Sequence, residues 1–399
     1  MASELSGPLK GVKVIDLSAM ISGPFAGAML ADQGAEVIKI EPVGTGDLVR
    51  YMGSTRNGFA AMFHHANRGK KSIALDLKSP KALEIVYKLV ESADVVLQNF
   101  RLGVVEKLRI DYDSLCKYNN KLIYLSINGF GVEGPLAKKP AFDNILQAFA
   151  GAAYAQAETD DAEPSLVRQL LADKLTSLNA AQAITAALYA REQGHGGQHI
   201  QLSMMDTLAH FLWLDLGQTA SFTDQEGVEP GLNLSKEIKL YPFKNGAASL
   251  SPVTDEQFKS MCDVLGVSLD TELSTMRQRN QNPEGTKALM GRVYAATQHR
   301  DIDESVAALD KAGIPVAKVL HLHELPKHPQ VKATQSFNVS DHPIAGQIVE
   351  PVNPPRFSKT PSAVGSPSPS LGEHSDQVLL ELGYSEEIVQ QLKEQHVIA

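Results

Sequence analysis

The sequence predicts an α/β protein, with a Rossmann-like doubly wound large domain and a smaller α+β domain. Three observations lead there. Short β-branched runs alternate with helix-length segments from the N-terminus onwards, turn and capping residues stand at the joins, and the composition changes once, near residue 225.

Val12 to Leu17 is a strand-like apolar run, Gly23 to Asp32 a helix and Glu36 to Ile40 a second strand, which together make one βαβ unit. Ser72 to Leu77 predicts a third strand. Ser79-Pro80 then places an N-cap and a proline at N1 before a helix over Lys81 to Ser92. Val95 to Gln98 and Leu122 to Ile127 continue the alternation, so a mostly parallel sheet with right-handed crossovers is expected. Between Asp224 and Leu234 the chain turns Gly-, Pro- and acid-rich, and Leu240 to Ser251 with Phe258 to Leu265 reads as a separate small unit. The expected division is a large domain over 1–205 and 330–399, a small one over 225–325, and linkers at 205–225 and 325–335. Pro351 to Pro369 is Pro- and Ser-rich and reads as extended surface chain, followed by two short helices split at Leu382-Gly383-Tyr384-Ser385.

With 399 residues, 43% hydrophobic and 21% charged, the chain can build a large core. A net charge of −9 offers no basic surplus to displace counterions from a phosphate backbone, so nucleic acid is excluded as the main partner. No apolar run approaches the roughly 20 residues of a membrane span. Cys116 and Cys262 lie far apart, and Met1-Ala2-Ser3-Glu4 has neither a basic nor an apolar leader pattern, so a reduced cytoplasmic protein is expected. His321, His323 and His328 cluster, but Glu324 is the one carboxylate beside them, and no metal is expected. His64 and His65 show no partner in sequence.

A lone acid opens a long Ala/Leu helix at Leu171-Ala172-Asp173-Lys174-Leu175. Leu175, Leu178, Ile184, Ala187 and Leu188 keep helical spacing to Arg191, and Gly194, Gly196 and Gly197 end it. Asp173 therefore falls at or just before a helix N-terminus, where free N–H groups and the macrodipole favour a carboxylate anion. Asp is also a preferred N-cap, so local pattern alone leaves nucleophile and cap both open.

Longer-range order favours the nucleophile. Leu9 to Ser18, Gly23-Pro24, Leu30 to Pro42, Asn67 to Lys78, Asn99-Phe100, Gly129-Phe130-Gly131, Ala141-Phe142-Asp143, Ala312 to Val316, His328-Pro329-Gln330 and Leu371 to Ser375 follow one another as in a single enzyme family. Over nearly the whole chain the sequence resembles the class III CoA-transferases, the group of formyl-CoA transferase, carnitine CoA-transferase and α-methylacyl-CoA racemase. The resemblance implies transfer of coenzyme A from an acyl-CoA to a free carboxylic acid through an aspartyl-CoA thioester, with Asp173 as nucleophile. It also implies an interlocked, ring-like homodimer. Coenzyme A, as acyl-CoA, is then substrate and no metal takes part.

The resemblance places adenine and phosphates against Ile21 and Ser22, Leu75, Asp76, Leu77 and Lys78, Asn99 and Phe100, and Lys107, with Lys138 and Lys139 as further phosphate candidates. The acid is expected to be read around Tyr241, the 225–233 loop and a neighbouring subunit. Racemases carry Gly-His-Asp where this chain has Ala141-Phe142-Asp143, and phenylalanine cannot move the α-proton. Racemase is therefore the alternative reading, and Phe142 itself reads as a core aromatic. Formyl-CoA transferases carry an Arg where Pro42 stands and a glycine run where only Gly227 and Gly231 occur, so formate and oxalate are disfavoured substrates. Two distant alternatives are an NAD-dependent oxidoreductase and an inactive CoA-binding protein. Gly23-Pro24-Phe25-Ala26-Gly27 lacks the dinucleotide glycine pattern, which weighs against the first.

Overall fold

The computed structural model describes residues 6–157, 162–229, 238–362 and 365–399. The readings made on Met1 to Glu4, and on the part of the 225–233 loop from residue 230 on, Gly231 included, lie outside the described residues. The chain divides into two compact units, 1–212 with 330–399, and 213–329.

In the first unit six strands, β1 (Lys13–Asp16), β2 (Glu36–Glu41), β3 (Lys70–Ala74), β4 (Val95–Gln98), β5 (Ile123–Asn128) and β6 (Gln198–Ser203), lie in the order β3-β2-β1-β4-β5-β6. Every pair is parallel. This is a doubly wound sheet whose order reverses between β1 and β4, the place where such folds open a crevice at the strand C-termini. Side chains alternate across it. Val14, Val37, Val95, Leu97, Ile123 and Leu125 face one core, and Ile15, Ile38, Val96 and Tyr124 the other.

Helices α1 (Ser22–Asp32), α2 (Ala61–Asn67), α3 (Pro80–Glu91), α4 (Asp143–Phe149), α5 (Leu171–Ala190) and α6 (Met204–Leu216) follow the strands, and α1 packs along α5. Pro80 starts α3 as expected, and Ser79 precedes it in extended backbone, although its hydroxyl makes no cap bond. The third strand differs from the prediction: it runs from Lys70 to Ala74, and Leu75 to Lys78 leave the sheet as a turn closed by Ser79 N–H on the Asp76 carbonyl. Lys70 looks too polar for a core strand but pairs with Asp16, 54 residues away in sequence.

In the second unit β7 (Tyr241–Phe243) and β8 (Gly246–Leu250) form a hairpin, and β9 (Val316–Lys318) pairs antiparallel with β8. Helices α7 (Asp255–Leu265), α8 (Pro283–Gln298) and α9 (Ile302–Lys311) close a core that includes Met261, Cys262, Leu289, Val293 and Leu309. Back in the first unit, the hairpin β10 (Phe337–His342) and β11 (Gly346–Pro351) precedes exposed chain over 354–361. Helices α10 (Ser375–Glu381) and α11 (Glu386–Glu394) follow, split where Gly383 takes φ 86°. The last residues return to the end of β3, where Ile398 bridges Leu75, the residue just after the strand.

Candidate active site

The turn from β1 into α1, Leu17 to Ser22, lies over the switch point and is fixed by buried charge. Lys70 Nζ donates to Asp16 Oδ2 and the Pro24 carbonyl, both at 2.7 Å, and the other Asp16 oxygen takes the N–H and hydroxyl of Ser18. Lys39 Nζ donates to the Ser18 carbonyl at 2.8 Å and meets Asp47 at 3.0 Å. Asp47 accepts the N–H of Met20, which sits at φ 68°, a left-handed conformation costing about 1–2 kcal/mol outside glycine. Glu41 holds the Asp47 N–H and takes a two-pronged bond from Arg50 at 2.8 and 2.6 Å. Gly23 is required here, because a Cβ on it would stand 2.3 Å from Ser18 Cβ.

These pairs set their own charge states. Burial disfavours the Asp16 anion, but Lys70 and Lys39 outweigh it and hold its pKa below the usual range. Burial pulls the Lys70 ammonium down to about 8, against the attraction of Asp16. Glu41 is likewise held low by Arg50 and Lys39 in spite of its burial.

Beside this turn a cavity of about 650 Å³ opens at the C-terminal ends of β1, β2 and β3. Among its lining residues are Leu75, Asp76, Leu77, Lys78 and Phe100, five of the positions expected to hold coenzyme A. Three more lie in or against the turn. Asn99 clamps it by accepting the Ala19 N–H at 2.8 Å and donating to the Ala19 carbonyl at 2.7 Å, and it reaches Ser22 Oγ at 3.5 Å. Ile21 is buried in a small cluster with Val49, Ala60 and Phe63. Lys107 is exposed at the end of a short helix, one residue before Leu108, which lines the cavity. Lys139 is not among the lining residues and stands 5.9 Å from the Phe130 ring centre. Sequence reasoning missed Lys39 and His396, both of which line the cavity. Neither has a local signal, since Lys39 sits inside an apolar strand and His396 is brought by the C-terminal tail.

Asp173 lies at the far end of the same turn. Helix α5 begins at Leu171, so Asp173 is its third residue and not its cap, and Leu170 occupies the cap position without a side-chain bond. The N–H and hydroxyl of Ser22 act on the Asp173 carboxylate and favour its anion. Ser177 Oγ, fully buried, donates at 2.8 Å to both the Ser22 and Asp173 carbonyls and ties the two helix starts together. On the other side Asp143 Oδ2 accepts the Asp173 N–H at 3.0 Å. Gln147 donates to Asp143 and to the carbonyls of Val167 and Gln169, which tethers the chain entering α5.

The expected stabilisation of the Asp173 anion by the helix start is corrected. Burial first, and the Asp143 charge second, push its pKa up to about 6 against the opposing influence of Ser22. Phe142 is corrected too: it is 58% exposed and precedes α4 in extended backbone, so it is no core aromatic. His64, without a visible partner in sequence, is buried against Glu350 at 2.9 Å. His321 and His323 stack at 5.4 Å, and among the described residues no group of three or more His, Cys, Asp or Glu is arranged to hold a metal. Among those residues no helix is long and apolar enough to cross a membrane.

Comparison with known proteins agrees with this architecture. The family described as CoA-transferase family III matches residues 9–375. The succinate–glutarate CoA-transferase of Agrobacterium fabrum is 33% identical over 389 residues, covering 94% of this chain and 96% of that protein. The acetyl-CoA:oxalate CoA-transferase of Acetobacter aceti is 34% identical over 360 residues, covering 88% and 90%. A crystal structure of a CAIB/BAIF family protein from Brucella suis superposes with a TM-score of 0.81 at 31% identity, covering 94% of this chain and all of that one. The chain belongs to CoA-transferase family III.

Proposed function

We propose that this family III CoA-transferase moves coenzyme A between carboxylic acids through an aspartyl-CoA thioester on Asp173. The observation that carries the reading is one turn, Leu17 to Ser22, that lines the 650 Å³ cavity along Leu17 to Met20 and is tied at Ser22, through Ser177 Oγ, to the backbone of Asp173. With a pKa of about 6, Asp173 is mostly ionised at neutral pH and more basic than an ordinary aspartate. A carboxylate oxygen attacks the thioester carbonyl, the C–S bond breaks and the thiolate leaves. The thiolate then attacks Asp173 Cγ, breaking the Cγ–O bond to the donor acyl group, which departs as the free acid. The acceptor acid reverses both steps, so the thioester energy is conserved.

Coenzyme A in this reading lies along Leu75 to Lys78 and Phe100, with Lys78 and Lys107 as phosphate partners. Relatives named for succinate, glutarate and oxalate support a dicarboxylic acid as one partner. The test is CoA-ester exchange followed by mass across acyl-CoAs and free acids, dicarboxylic acids included. Rapid exchange with one pair identifies the substrates, and no exchange with any pair refutes the reading.

The homodimer belongs to the same proposal. Leu178 and Tyr189 on α5 and Phe149 on α4 are more than half exposed in the single chain, which is apolar surface a partner subunit would cover. Sedimentation equilibrium at submicromolar concentration should show a dimer, and a stable folded monomer refutes it.

A further inference from the structure

We propose that Asp143 is the positioning residue of this site: its carboxylate fixes the first turn of α5 and keeps a second negative charge beside Asp173. The proposal rests on Asp173 being the nucleophile.

The geometry is specific. Asp143 is buried, and one oxygen accepts the Asp173 N–H at 3.0 Å while the other accepts Gln147 Nε2 at 2.5 Å. A carboxylate held by two N–H donors on opposite oxygens cannot swing away when its neighbour ionises. On the α1 side the groups facing Asp173 are the N–H and hydroxyl of Ser22, which are neutral. On its own helix, Lys174 turns to Gln169 Oε1 at 2.9 Å. Among the described residues the charge acting on Asp173 is therefore that of Asp143, and it adds to burial in raising the pKa.

A second carboxylate against a nucleophilic one has a chemical consequence. Repulsion raises the energy of the Asp173 anion before attack. It vanishes when Asp173 becomes an acyl anhydride or a thioester, because both are neutral at Cγ. Asp143 therefore favours each covalent state over the resting anion, and makes the resting oxygen more basic. An amide in its place keeps an acceptor for the Asp173 N–H but carries no charge.

The test is Asp143→Asn, read by the acid limb of the kcat/KM profile and by the fraction of enzyme trapped as hydroxamate with acyl-CoA and hydroxylamine. The limb should fall by about one pH unit and the trapped fraction severalfold. An unchanged limb with normal CoA binding overturns the proposal. Asp143→Ser, which also retains an acceptor without charge, is the second variant. A third measurement reads the charge directly: in protein carrying carboxyl-13C aspartate, the Asp173 resonance, assigned by its loss in Asp173→Asn, should titrate above an ordinary aspartate in wild type and lower in Asp143→Asn. A single step at an ordinary aspartate pKa overturns the proposal. Retention of transfer by Asp173→Asn would instead refute the nucleophile reading, while leaving the Asp173 titration to report on the Asp143 charge.

Discussion

Asp173→Asn separates chemistry from folding, because the two respond in opposite directions. The folded carboxyl has a pKa of about 6 against 3.8 for the unperturbed group. Between those values the native protein holds a proton that the unfolded chain releases, so stability falls as pH rises from about 4 to about 6 and is level above that. The shift of about two units corresponds to at most about 3 kcal/mol of destabilisation at neutral pH. Asparagine carries no such penalty, and its amide can still meet Ser22. The variant should therefore be as stable as wild type near pH 4 and more stable by about 1–3 kcal/mol at pH 7.5, read as a rise of about 2–4 °C per kcal/mol in the melting temperature of the first unit. Transfer should drop at least about a thousandfold, since an amide cannot open a thioester. Melts from pH 4 to 8 alongside the exchange assay decide it. A variant that keeps more than a few per cent of activity refutes the nucleophile, and a melting difference that does not grow with pH refutes the electrostatic account of the site.

Other outcomes follow from the same contacts. Lys70→Met leaves the Asp16 carboxylate buried without its cation and should cost about 3–5 kcal/mol in urea unfolding, with part of the loss recovered in Asp16→Asn/Lys70→Met. Equal stability of the single and double variants would show that the pair does not hold the turn. Gly23→Ala drives a Cβ to 2.3 Å from Ser18 and should weaken CoA binding in calorimetry as well as costing about 1–3 kcal/mol; normal affinity would free the turn of its proposed role. Because Phe142 offers no proton-transfer group, a 2-methylacyl-CoA should take up no appreciable α-deuterium from D2O while thioester exchange proceeds. Fast wash-in by mass spectrometry would favour the racemase reading.

Local pattern carried the sheet a long way. Val14-Ile15, Val37-Ile38 and Val95-Val96-Leu97 are β-branched or apolar on both faces because helices cover both, and such runs read as buried parallel strands from sequence alone. The third strand starts two residues before the expected position and ends three before it, for the opposite reason. Lys70 and Lys71 have the polarity of a loop, and the partner that lets Lys70 enter the core, Asp16, is invisible to any local window. Leu75 to Lys78 follow from the family pattern and line the cavity for a reason the alternation does not give: they leave the sheet where β3 ends. His64 had no visible partner because Glu350 is 286 residues away. Asp143 showed no independent signal either, since its meaning comes from the Asp173 N–H, 30 residues on.

The distribution of buried charge gives the fold its link to chemistry. Asp16 on β1 pairs with Lys70 on β3, and Lys39 and Glu41 on the strand between them pair with Asp47 and Arg50 of the chain that leaves it. Replacing such pairs by apolar side chains is often neutral or better for stability, so stability alone does not explain them. Their hydrogen bonds end on backbone atoms of the turn and of the helix start after it: the Ser18 N–H and carbonyl, the Met20 N–H and the Pro24 carbonyl. Apolar packing constrains volume but not the direction of a carbonyl or an N–H. The charges therefore fix the orientation of the one segment that borders the cavity on one side and Asp173 on the other, which is the accuracy an acyl transfer between two bound groups requires.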